Sequence, residues 1–317
     1  MIDQPNLPEE AIRTALNRGY HLSLSKLEFL PLGADGEAGV YRAIAEDGTR
    51  TFLKLRTGKI NEAGLLIPHY LQQQGLAHIV APIPTVDQAL WQQVDEFRLV
   101  LYPYVEGRSG LERGLSQEQW RELGASLRQI HAIQVPSSLA EKLSCETFIP
   151  DWMDSLQRRI ATIHERGERD PVAAELTNFW REKATGIEQI VTQAETLGEQ
   201  VRKRALPQRL CHADIHSAIL LIDPTDQFWI VDWDQTMLAP KERDLMFVIG
   251  GGVLGPIQPE EESAFLLGYG DREIDRQALA YCRYAWAVQD IGAFAEDVFA
   301  RPELSEAARA QAVRYFK

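Results

Sequence analysis

At Pro103 the spacing of apolar residues changes from that of strands to that of helices. Before it, short runs at 27–32, 40–45, 50–55, 78–83 and 97–102 read as strands, and Asp47-Gly48 is a tight-turn signal between two of them. A helix is predicted over 9–17 and another over 61–74, the latter stopped by Gly75. After Pro103 the pattern is that of long helices. Ser116-Gln117-Glu118-Gln119 is a capping box, and Trp120, Leu123, Leu127 and Ile130 then recur on one helical face. Further helices are predicted over 151–163, 171–197, 260–267, 276–298 and 305–315. One hairpin, within 210–233 and turning at Asp223-Pro224-Thr225-Asp226, interrupts them. Such a chain is α+β and bilobal: a small antiparallel sheet lobe, 1–103, then a larger and mostly helical lobe, 104–317.

Composition narrows the partners. With 45% hydrophobic residues in 317, the chain can bury a core in each lobe. A net charge of -13 would repel phosphate backbones, so nucleic acid is not expected as a partner, whereas a cationic small molecule is compatible. Neither a basic-then-apolar leader nor a membrane-length apolar run occurs, and a cytoplasmic protein without membrane contact is expected. Cys145, Cys211 and Cys282 stand far apart and suggest neither disulfides nor a zinc knuckle. Composition leaves the oligomeric state open.

The residues with chemical potential cluster around the hairpin. His212-Ala213-Asp214-Ile215-His216 precedes it, and Asp232-Trp233-Asp234 follows it, so folding the hairpin brings two carboxylate groups together. Phosphoryl transfer needs such a pair, one carboxylate to take the proton of the attacking hydroxyl and one to hold the Mg2+ that bridges nucleotide phosphates. It also needs a cation on the phosphates. Lys54, on a strand that follows the glycine-rich turn containing Gly33 and Gly36, is placed for that, and Glu62 on the next helix is the acid expected to hold it. The same His212-x-Asp214-x-His216 spacing also admits a metallohydrolase site, although no second ligand cluster accompanies it and Lys54 would be left unexplained.

At this point the sequence resembles a family. Residues 123–131, LGASLRQIH, with His212-Ala213-Asp214 and Asp232-Trp233-Asp234 at these intervals, are similar to the signatures of aminoglycoside phosphotransferases. The stretch 232–247, DWDQTMLAPKERDLMF, resembles their spectinomycin type. The resemblance implies a protein-kinase-like fold and an ATP- or GTP-dependent, Mg2+-assisted kinase acting on a small-molecule hydroxyl, an aminoglycoside or aminocyclitol first. Carried over by position, it implies Asp214 as catalytic base and Asp232 as metal ligand, with Asp234 as a further candidate ligand. Tyr102 to Tyr104 become the purine hinge, with Leu221 and Val231 beside the base, and His212 and Asp244 support the loop. The acidic helix carrying Asp290, Glu296 and Asp297 beside Trp286 is the candidate wall for an ammonium-bearing substrate.

The sequence departs from the family at one position. After His-x-Asp and four residues the family has asparagine, and here that position is Ile219. An amide oxygen can ligate magnesium and a hydrocarbon cannot. Impaired transfer is therefore an expectation, and a nucleotide-binding relative without turnover is the alternative; Asp234 or water are the other ways to complete the metal site.

Overall fold

The computed structural model describes residues 4–32, 38–149, 170–270, 273–301 and 304–317. Gly33, Gly36 and the helix expected over 151–163 lie outside these residues. The first lobe is a five-stranded antiparallel sheet: β1 (Leu24–Leu30), β2 (Ala38–Ala45), β3 (Arg50–Arg56), β4 (Gln92–Val94) and β5 (Phe97–Pro103), in the order β1-β2-β3-β5-β4. The helix Glu9–Tyr20 packs its buried Ile12 and Leu16 against Leu53, Leu55, Leu99 and Leu101 of the sheet. The helix Ala63–Gln73 joins β3 to the rest.

Two of the sequence expectations need correction here. The run at 78–83 forms no sheet strand; its one ladder contact is an isolated parallel bridge from Ile79 to Ile230 in the other lobe. It is apolar because it is buried between the lobes, with Ile79 in the same core cluster as Phe228. Conversely, β4 went unforeseen because Gln92-Gln93-Val94 has little apolar character.

The second lobe follows the helical pattern closely. Ser116 and Gln119 cap the helix Gln117–Ala132 reciprocally. That helix crosses Pro259–Tyr269 where Gly124 faces the Phe265 carbonyl and Gly268 faces the Arg121 carbonyl, contacts that any Cβ would obstruct. The long helices Pro171–Arg202 and Arg276–Phe299 pack on each other through Trp180, Ile187, Ala194, Val288 and Ala295, with Glu306–Phe316 closing the far end. Between them in the chain comes the hairpin of Leu220–Ile222 and Phe228–Ile230, whose Phe228 and Ile230 are fully buried. Rigid strands on a dry core therefore carry the two loops of interest. No helix among the described residues is long and apolar enough to cross a membrane.

Candidate active site

Segments 212–219 and 232–235 flank the hairpin, and the second meets β3 through Lys54 and Arg56. Both hold a non-glycine residue in the left-handed region, Ala213 at φ 69° and Asp232 at φ 60°. Such conformations persist only where surrounding contacts fix them, and at Ala213 those contacts come from Asp244. Its carboxylate is fully buried and accepts the His212 amide at 3.0 Å, the Ala213 amide at 2.6 Å and His131 Nε2 at 2.9 Å. Burial acts to raise its pKa, but these donors and the nearby histidines hold it below the usual carboxylate range. His131 is itself tied to the Tyr269 hydroxyl at 2.8 Å. Beside this network lies a hollow of about 580 Å³, lined by His131, Tyr269, Arg128, Arg209 and Lys241 among others.

His212 is enclosed. Its Nε2 donates to the Val231 carbonyl at 3.0 Å, and its Nδ1 accepts the Asp214 amide at 3.4 Å. Burial lowers its pKa, so the ring is neutral. With both nitrogens occupied by the chain, His212 has no lone pair for a metal, which removes the physical basis of the His212/Asp214/His216 metallohydrolase reading.

Lys54, 17% exposed at its side chain, reaches Asp234 Oδ2 at 2.7 Å and Asp232 Oδ1 at 3.6 Å. Burial alone would lower its pKa, but the two carboxylates raise it. Asp234 is also held by Arg56 at 3.2 Å, and its carbonyl accepts Asn61 Nδ2 at 2.7 Å. Gly64 allows the helix to approach: a Cβ there would stand 3.0 Å from the Trp233 carbonyl. Glu62, expected to hold Lys54, does not reach it. It lies at the exposed start of the helix and pairs with Lys142 of the other lobe at 2.7 Å, so aspartates from the 232–235 loop take the place foreseen for Glu62.

Asp214 lies deeper. Burial, then the charge of Asp232, pushes its pKa up to about 7. Its Oδ1 faces Trp286 Nε1 at 3.4 Å and His216 Nε2 at 3.7 Å. Asp290, one turn along the helix from Trp286, contributes to that shift and is itself pushed by burial to about 7, Arg243 countering in part. Of the expected substrate wall, Trp286 thus faces Asp214 directly and Asp290 acts on it through its charge. Asp297 lies nearly two turns beyond Asp290 and is engaged by Arg301 at 3.4 Å; Glu296 immediately precedes it.

The hinge is less uniform than expected. Tyr102 packs edge-on to Phe52 at 6.4 Å, its hydroxyl raised by burial and by the nearby aspartates while Lys54 acts in the opposite direction. Tyr104 carries the Arg42 guanidinium over its ring. Leu221, on the first hairpin strand, and Val231, just after the second, are partly buried. Arg56, Asn61 and Gly64 went unnoticed in the sequence. A signal existed for Arg56, since residues two apart on a strand share a face.

A model of the phosphotransferase enzyme family matches residues 28–282. The chain belongs to this family. It is a small-molecule phosphotransferase with an alcohol group as acceptor, in a bilobal kinase-like α+β fold. Spectinomycin phosphotransferase APH(9)-Ia, solved with ADP and spectinomycin, superposes on this phosphotransferase with a TM-score of 0.86 at 33% identity, covering 99% of this chain and 94% of that one. Protein StrN of Streptomyces griseus is 27% identical over 226 residues, 70% of this chain and 68% of StrN. Amicoumacin kinase hAmiN shares the fold at a TM-score of 0.65 and 18% identity, over 98% of this chain and 92% of that one.

Proposed function

We propose that this phosphotransferase transfers the γ-phosphate of ATP or GTP to a hydroxyl of a cationic aminocyclitol of the spectinomycin kind. The division into a nucleotide lobe, 1–103, and a substrate lobe, 104–317, belongs to the same proposal. The observation that carries it is Asp214 facing Trp286 at 3.4 Å and sensing the charges of both Asp232, which lies 3.6 Å from Lys54, and Asp290. The likeness to a spectinomycin phosphotransferase over 99% of the chain supports the acceptor class.

In this reading the purine sits against the hinge at Tyr102 to Tyr104, Leu221 and Val231, with its phosphates toward Lys54. An ammonium group of the acceptor pairs with Asp290, and the carboxylate is stabilised as its partner arrives. Asp214, poised near neutrality, takes the proton of the attacking hydroxyl. The hydroxyl oxygen bonds to the γ-phosphorus, the bond to the bridging oxygen breaks, and the nucleoside diphosphate leaves. Lys54 and Arg56 face the charge on the transferred group.

The residues fit one Mg2+ ion. Asp232 is half-exposed, its Oδ1 is already 3.6 Å from a cation, and its charge raises Asp214, a repulsion that a bound ion relieves. When bound, magnesium neutralises the nucleotide phosphates. Ile219 offers it nothing: the side chain is 9% exposed and belongs to the apolar core, its backbone carbonyl accepts the Val231 amide at 3.3 Å and its own amide donates to the His216 carbonyl at 3.1 Å.

ADP release measured over a panel of aminocyclitols and aminoglycosides, with Asp214→Ala as control, tests the proposal. Turnover confined to neutral acceptors, or unchanged in the control, refutes it. Ile219 favours a second reading, nucleotide binding with slow transfer. If it holds, Ile219→Asn raises kcat by about 100-fold at nearly constant nucleotide affinity. Equal rates in the two proteins mean that Asp234 or water completes the metal site.

A further inference from the structure

His216 has no part in the chemistry described so far, yet its surroundings restrict it closely. Its Nδ1 accepts the Ala218 amide at 3.2 Å, where it caps the short turn Ser217–Ile219. A neutral imidazole that accepts at one nitrogen donates from the other. The ring is neutral: burial first, and His212 second, lower its pKa to about 4. Its single N–H is therefore on Nε2, and that atom lies 3.7 Å from Asp214 Oδ1.

The same carboxylate oxygen faces the Trp286 indole N–H at 3.4 Å. Phe247 stands edge-on to both rings, its centroid 5.9 Å from that of His216 and 5.6 Å from that of Trp286. One aromatic side chain thus braces two N–H groups directed at one oxygen. Asp214 Oδ2 makes no hydrogen bond among the described residues. The Trp286 N–H is within hydrogen-bond reach of Oδ1 and the His216 Nε2 lies just beyond it, so Oδ1 faces two donor groups while Oδ2 stays available.

We propose that His216 is a positioning residue which, with Trp286, directs its Nε2–H at Asp214 Oδ1, so that Oδ2 receives the proton of the substrate hydroxyl. The separations of 3.4 and 3.7 Å are longer than finished hydrogen bonds, and contacts of this kind tighten when substrate closes the site. The proposal rests on Asp214 being the base, as inferred above.

Two substitutions separate this role from that of a simple turn cap. In His216→Asn the amide oxygen can still accept the Ala218 N–H, but the amide nitrogen stops short of Asp214. In His216→Gln the longer amide places an N–H near the Nε2 position and gives up the cap. The expected result is a kcat reduced about 100-fold in His216→Asn, with KM for nucleotide and acceptor and the melting temperature unchanged, and a kcat within about fivefold of wild type in His216→Gln. The reverse order, with the asparagine variant active and the glutamine variant impaired, overturns the proposal and leaves His216 as a cap.

A second measurement needs no acceptor. Long-range 15N–1H spectra of the wild-type protein should show His216 neutral with its proton on Nε2 between pH 6 and 8; a proton on Nδ1, or a charged ring in that range, also overturns the proposal. Failure to find any acceptor would count against the acceptor class proposed above, and the spectra would still decide the orientation of His216.

Discussion

Asp234 and Asp214 face one cleft from the two loops of one hairpin, and both are withdrawn from water. Asp234 has Lys54 at 2.7 Å and Arg56 at 3.2 Å, and its pKa stays low although burial acts to raise it. Asp214 has two neutral N–H groups and a like charge nearby, and it rises to about 7. The difference is in the company and not in the burial. Within about 4 Å an opposite charge outweighs desolvation, whereas a neutral donor does not. The 232–235 loop is thereby a charged platform facing the phosphates, and the 212–216 loop holds a carboxylate able to exchange a proton near neutral pH.

Replacing the poised member of the pair should have the largest effect. Asp214→Asn is expected to lower kcat by about 10²- to 10⁴-fold while nucleotide affinity stays within about threefold, measured by steady-state kinetics and by calorimetric titration of nucleotide. A parallel loss of affinity would mean that Asp214 serves the nucleotide instead. In the wild type the rate should rise with pH through about 7 and then level off, because the ionised form accepts the proton.

Breaking the charged member comes next. Lys54→Ala should weaken nucleotide binding by about 100-fold. Lys26→Ala removes an equal charge from an exposed pair with Glu28, 3.5 Å away and well outside the cleft, and should change binding less than twofold. Equal losses would show that net charge, and not the position of Lys54, governs affinity.

The smallest effect sharpens the comparison through stability. Asp290 is raised by burial to about 7, so the folded chain keeps a proton that the unfolded chain, with an ordinary carboxyl near ~3.9, has already released. Stability should fall as pH rises from about 4 to 7, and the penalty is complete above that. Asp290→Asn, which carries no charge, should then melt on the order of 5 °C higher than wild type at pH 8 and at about the same temperature at pH 4. Equal differences at both pH values would show a packing effect and not a charge effect.

Local signals were legible where local physics decides. Ser116 and Gln119 form the capping box that their spacing announces, and Arg50–Arg56 and Arg276–Phe299 lie within a residue or two of their expected bounds. The run at 78–83 misled for the complementary reason. Its apolar residues answer to Ile230 and Phe228 across the lobe junction and not to a neighbouring strand. Glu62 shows the same limit in charge: its place at a helix start was readable, but its partner Lys142 is 80 residues away.

The sequence by itself determined the α+β division, the family and the carboxylates that could act, because periodicity, turn chemistry and motif spacing are properties of neighbouring residues. Only the tertiary structure decided which carboxylate is ionised, which cation holds it and which histidine nitrogen carries a proton. Those depend on burial and on groups brought together from positions as distant as Lys54 and Asp234, 180 residues apart, and electrostatic energies follow separation in space and not along the chain.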